Sequence, residues 1–195
     1  IYEGGPMTNL ALAISLDPGF AEVAQELVFM GGSLSPHTDN PEFLNNPRHE
    51  FNFWFDPEAA EIVLRAPWRK IVCTPVDISI KTHMTAQLVK KIESSGTPVA
   101  RYIAHFAVLT AGGDIMWDEL AAAAWIDPSL ITKRENRYIG VDLDHGAGYG
   151  NTLTWNAVPQ LTPAAQPVEI QVDLDTDRLY RMFAELMRGP TPAGS

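Results

Sequence analysis

Two short runs constrain this chain more than anything else in it: "ELVFMGGS" (26–33) and "KIVCTPVDIS" (70–79), each apolar at nearly every position and closed by turn residues. A strand with one wet face alternates apolar and polar residues. A run without alternation must be covered on both faces, which is the habit of a parallel sheet sandwiched by helices. Between the two lies "FDPEAAEIVLRA", a strong helix start with Asp56 as cap, Pro57 in the first turn and Glu58 near the positive end of the helix dipole. Strand, helix and strand in that order form a βαβ unit.

The rest of the chain extends this pattern. Gly4-Gly5-Pro6 reads as a strand-to-helix turn with Pro6 in the first helical turn, followed by an apolar stripe of Leu10, Leu12, Ala13 and Leu16. Helical patterns run over about 84–95 and 98–111, and "DELAAAAWI" forms a shorter one. Strands are expected near 138–143, 151–155 and 167–173, then a last helix with Leu179, Met182, Phe183 and Leu186 on one face. The fold class is α/β: a mainly parallel, Rossmann-like open sheet with helices on both faces. At 195 residues one domain is expected. Only two strongly apolar strands lie in the first 80 residues, and the chain opens on what looks like the end of a strand. Residues 1–195 are therefore expected to form the C-terminal part of a single α/β domain, its sheet incomplete because N-terminal strands are missing.

Charge and composition exclude some partners. The formal charge is −10, and the densest basic cluster, "KTHMTAQLVKK", has three lysines. Such a surface cannot release phosphate counterions, so nucleic acid is not an expected partner. No apolar stretch reaches the ~20 residues of a membrane-crossing helix. The single cysteine, Cys73, sits in an apolar run and reads as a small buried hydrophobe, a weak pointer to a cytoplasmic setting.

In open α/β sheets ligands sit beyond the C-terminal ends of the strands. The Gly4–Pro6 turn, Met30 with its glycines, the long polar loop 33–50 and the start of the helix at Asp118 should converge there. That gathers Gly4, Met30, Asn45, Asn46, Glu50, Asn52, Trp117 and Asp118 as candidates. Each has a plainer local reading: Asp118 as a helix cap, Asn45-Asn46-Pro47 as turn chemistry, Met30 as core, Glu50 and Asn52 as solvated loop edge, Trp117 as a rim aromatic.

Four blocks in order, "GGPMTNLALAI", "ELVFMGGS", "HEFNFWFDPEAAEIV" and "WDELAAAAWIDPSLIT", resemble the second half of the calcium-dependent nucleoside hydrolases of the inosine–uridine type. "DHGAGYGNTLTWN" and "DTDRLYRMFAELM" fit the family's C-terminal end more loosely. The resemblance implies hydrolysis of the N-glycosidic bond of a ribonucleoside, with one Ca2+ holding the ribose hydroxyls and the attacking water. Calcium takes six to eight hard oxygen ligands. By the same resemblance Asp118 and the Gly4 carbonyl are metal ligands, Glu50 and Asn52 hold ribose hydroxyls, and Asn45 or Asn46 adds a sugar contact with Met30 against the ring. Asn52 and Trp117 are the residues implied nearest the chemistry. Many family members carry histidine directly before this aspartate. A purine-preferring group carries tryptophan, as in "MWDEL" here, and the indole would stack on the leaving base.

Histidines at 37, 49, 83 and 145 are weaker candidates, and none has metal-ligand spacing with another histidine or cysteine. The family's signature, an N-terminal D-x-D-x-x-x-D cluster, has no match in residues 1–195; "DLDTD" (173–177) precedes the wrong element. The expectation is thus conditional. A nucleoside substrate and an N-terminal fragment or second chain supplying the aspartates are the expected partners, with a homo-oligomer also open. The alternative is a catalytically inactive nucleoside- or partner-binding protein derived from this fold.

Overall fold

The computed structural model describes residues 1–107, 114–159 and 165–189. Six strands, β1 (Tyr2–Glu3), β2 (Leu27–Met30), β3 (Ile71–Thr74), β4 (Ile131–Val141), β5 (Thr152–Trp155) and β6 (Pro167–Leu174), form one sheet of order β1-β2-β3-β6-β4-β5. The first four in that order are parallel, whereas β4 runs antiparallel to both β6 and β5. The sheet is the mainly parallel one expected, and "LVFM" and "IVCT" are buried at every position.

Helices cover both faces. On one face α1 (Thr8–Leu16) and α5 (Pro57–Arg65) pack Leu10, Ala60, Val63 and Leu64 against Phe29, Cys73, Ile139 and Ile170. α5 starts as its sequence predicts: the Asp56 side chain accepts from the Ala59 amide, and Pro57 occupies the first position. Helix α1 begins at Thr8, so Pro6 belongs to the turn before it and not to its first turn. On the other face α6 (Val76–Ser79), α9 (Trp117–Ile126) and α10 (Thr176–Leu186) enclose Ile78, Leu120, Ala124, Leu130 and Leu179. Beside them α7 (Ala86–Glu93) and α8 (Pro98–Ala107) contribute Leu88, Ile92 and Ala100 to a smaller cluster with Met116 and Ala184. The expected end of α8 at 111 lies outside the described residues.

The clearest departure from the sequence reading is β4, eleven residues long where 138–143 was expected. Its first half, "ITKRENR", is mostly exposed or half-buried, so no apolar run betrays it. Pairing with β6 holds it in the sheet, from Ile131 opposite Leu174 to Tyr138 opposite Pro167. Three short helices complete the chain: α2 (Phe20–Val23), α3 (Pro41–Asn45) and α4 (Phe51–Phe55), the last two inside the loop that follows β2.

Candidate active site

A cavity of about 470 Å3 opens at the C-terminal ends of β1 and β2. Gly4, Met30, Glu50, Asn52, Trp117 and Asp118, six of the eight candidates, line it together. Asn45 and Asn46 do not; from the same loop Glu42 and Phe43 face it instead. Phe43, which sequence reasoning missed, is buried and meets Trp117 edge-on, with ring centroids 6.1 Å apart. It escaped notice because a polar, proline-rich loop hides the five-residue helix α3, although Asn40-Pro41 before it is a cap signal: Asn40 accepts from the Glu42 amide.

Glu50 is 4% exposed and fully engaged with the backbone. One carboxylate oxygen accepts from the Asn52 amide at 2.8 Å; the other accepts from the Gly32 and Phe53 amides at 2.9 and 3.1 Å. It caps α4 and ties it to the turn after β2. Burial pushes its pKa up against those hydrogen bonds, which pull the other way, and nearby Asp118 adds to the rise. Asn52 is likewise a clamp: its amide nitrogen donates to the carbonyls of Met30 (3.1 Å) and Gly4 (3.3 Å), which leaves its Oδ1 to accept from a ligand.

Asp118 differs. Helix α9 starts at Trp117 behind Met116, and no side chain caps it. The Asp118 carboxylate therefore does not cap the helix, and among the described residues it accepts no hydrogen bond. Burial and the neighbouring Glu3 carboxylate raise its pKa. The Tyr2 hydroxyl donates to the Asp118 backbone carbonyl at 3.0 Å, and its phenol is pushed up by burial and then by Asp118, Glu119 and Glu3. Gly4 is pressed against this group: a β-carbon there would lie 2.9 Å from Asp118 Oδ1. Acidic groups thus crowd one corner of the cavity, whose lining among the described residues includes no lysine, arginine or histidine.

That corner offers a cation hard oxygen donors of the right kind, the Asp118 carboxylate and the Gly4 carbonyl, but two donors are fewer than the six to eight calcium takes. Among the described residues no group of three or more His, Cys, Asp or Glu side chains is disposed to hold a metal ion. The residues present fit part of a calcium site, not a whole one. The histidines lie elsewhere. His49 packs on Trp54 and His145 on Tyr149, while His37 and His83 line a second cavity.

The geometry is that of an amphipathic pocket, aromatic at one end and rich in oxygen ligands at the other, at the strand ends of an α/β sheet. A family model described as inosine-uridine preferring nucleoside hydrolase matches residues 1–181, and the chain belongs to that family. It is similar to the pyrimidine-specific ribonucleoside hydrolase RihB of Escherichia coli, with 28% identity over 197 residues that cover 95% of this chain and 59% of that protein. Among solved structures it resembles the plant nucleoside hydrolase PpNRh1 (TM-score 0.79, 24% identity, 97% of this chain and 62% of the other). It also resembles the purine-preferring ribonucleoside hydrolase of Gardnerella vaginalis (TM-score 0.75, 24% identity, 96% and 60%). At such identity the structural likeness speaks for the fold alone. The chain spans about three-fifths of the length of these relatives. Among the described residues no helix is long and apolar enough to cross a membrane.

Proposed function

We propose that the protein hydrolyses the N-glycosidic bond of ribonucleosides, with the base against Trp117 and the sugar toward Asp118, Asn52 and Gly4. One observation carries the reading: a single cavity joins an aromatic wall of Trp117 and Phe43 to an uncapped carboxylate that no hydrogen bond within the described residues engages. In the reaction a water oxygen bonds to the anomeric carbon, the bond from that carbon to the base nitrogen breaks, and the base departs with a proton. Among the described residues the lining holds no imidazole to donate that proton, and an indole N–H is only a weak donor. Trp117 acts by stacking, worth ~0.5–1.5 kcal/mol beyond area burial, and by keeping the base dry. The Asn52 Oδ1 accepts from a sugar hydroxyl, while Glu50 holds Asn52 and the Gly32 turn in place.

Ca2+ is the cofactor that suits Asp118 and the Gly4 carbonyl, and when bound it would supply a Lewis acid that lowers the pKa of water and orients the sugar hydroxyls. Its remaining ligands would come from a further acidic segment, in the same polypeptide or a second chain. Purine preference rests on Trp117; the relatives include both pyrimidine-specific and purine-preferring enzymes. A second reading, a nucleoside-binding protein without catalysis, is favoured by the incomplete donor set and differs in one result.

The test is release of free base from inosine and from uridine by the whole polypeptide in the presence of calcium. Hydrolysis of inosine ahead of uridine, reduced about tenfold in Trp117→Ala, is expected. Saturable binding of both nucleosides with no base released would replace the enzyme by the binding protein. Unchanged turnover in Trp117→Ala would remove the stacking role.

A further inference from the structure

A second cavity, of about 830 Å3, lies across α3 and α6 from the first. Asn40 and Asp77 face it, whereas their neighbours Glu42, Phe43 and Val76 face the first. Its floor is β6 and the antiparallel flank, toward the opposite end of the sheet from β1. The volume is within the usual range for small-molecule sites, ~300–1,000 Å3.

The hydrogen-bonding balance of its lining points to a ligand class. Two of its carboxylates, both half-buried, are already engaged: Asp77 accepts from the Leu34 and Ser35 amides, each at 2.8 Å, and Glu135 is flanked by Lys133 and Arg137 at 3.0 and 2.9 Å. What remains is mostly donors. Gln171, only 3% exposed, gives its Oε1 to the Thr74 hydroxyl at 2.9 Å, and its amide nitrogen has no acceptor among the described residues. Gln171 is buried as a residue, but its NH2 is open to the cavity, where a ligand can accept from it. Arg48 lines the same cavity, touches only the Thr152 carbonyl through its guanidinium, and pairs with no carboxylate among the described residues. Asp39, on the exposed rim, is the one opposing charge there without a partner among the described residues.

We propose that this cavity is a second binding site, for a small oxyanion-bearing molecule, a phosphate or a carboxylate, held by the Gln171 amide and the Arg48 guanidinium. It does not depend on the reading of the first cavity. Fork-shaped guanidinium donors suit both anions, and a carboxamide NH2 adds a neutral donor from below.

The experiment titrates the whole 15N-labelled protein with inorganic phosphate and, separately, with succinate at constant ionic strength, following the Gln171 side-chain amide signals. Saturable shifts with at least one anion are expected; the tighter of the two names the source of the charge. Affinity should fall by about tenfold or more in Arg48→Ala, whose exposed side chain carries little folding risk, and in Gln171→Leu once its urea midpoint shows it folded. It should rise in Asp39→Asn and stay unchanged in Asp118→Asn. Shifts that stay linear with both anions overturn the proposal. So does affinity that survives both Arg48→Ala and Gln171→Leu, or that is lost in Asp118→Asn, since the anion would then sit elsewhere.

Discussion

The two walls of the first cavity are built on opposite principles. On the wall formed by the loop after β2, the two buried polar side chains are tied to backbone: Glu50 to three amides, Asn52 through its NH2 to two carbonyls. On the α9 wall the Asp118 carboxylate accepts no hydrogen bond among the described residues and faces other acids. A buried polar group tied to backbone fixes shape. A solvent-exposed carboxylate without protein partners leaves its oxygens free for a ligand. Substitutions should therefore separate stability from activity along the line between the walls.

The largest expected effect is on the first wall. Glu50→Ala strands the Gly32, Asn52 and Phe53 amides in a buried place, and should cost about 3–5 kcal/mol of stability. A urea titration would show it as a lowered midpoint at unchanged slope. Asp118→Asn should do the reverse: stability held or slightly raised, with base release down at least about a hundredfold. Should Asp118→Asn destabilise as much as Glu50→Ala, the contrast between the walls fails.

How legible was this in the sequence? The parallel half was, because "LVFM" and "IVCT" are buried on both faces and so cannot hide behind alternation. The antiparallel flank was only partly so, since the first half of β4 is polar and is placed by its partner β6. Six of the eight candidate residues meet in one cavity because they flank strand ends or helix starts, positions that turn chemistry marks. Phe43 was overlooked, and Asn45 and Asn46 do not line the cavity, for one reason: inside a polar loop, nothing local tells which way a five-residue helix will turn its side chains. Nor could residue type reveal that Glu50 would be occupied by backbone and Asp118 not, because that depends on the fold around them.

Between the two walls sits Gly4. In Gly4→Ala the new β-carbon would lie 2.9 Å from Asp118 Oδ1 and 3.4 Å from the Tyr2 ring. The exposed Asp118 side chain can swing aside, so the stability change should stay near 1 kcal/mol. The carboxylate would nonetheless leave its place, and a displacement on the order of 1 Å should lower turnover by about tenfold to a hundredfold. Wild-type turnover in a folded Gly4→Ala would show that the position of Asp118 does not matter to the reaction.

The smallest effect, and the one that probes the acidic corner most directly, is the pH dependence of stability. Glu50, Asp118 and Glu119 all have raised pKa values, in each case chiefly from burial, with Glu3 acting next on Asp118, and with Asp118 adding to the rise at both glutamates. A carboxyl whose pKa is higher folded than unfolded binds more protons in the native state, so it lowers stability as pH climbs from the ordinary carboxylate range through the raised value. Asp127, Glu135 and Asp173 shift downward and act in the other direction, but they are solvent-exposed and screened. Melting temperature should therefore decline as pH climbs above the ordinary carboxylate range of about 4, less steeply in Asp118→Asn, which removes one raised group and eases two others. A cation held by Asp118 favours the ionised carboxylate and should flatten the same slope. Millimolar calcium is accordingly expected to raise the wild-type melting temperature at pH 7, to do little at pH 4, and to do little to Asp118→Asn at either pH. Equal calcium shifts in wild type and Asp118→Asn would take the metal away from this corner, and with it the reason for leaving one wall of the cavity without partners.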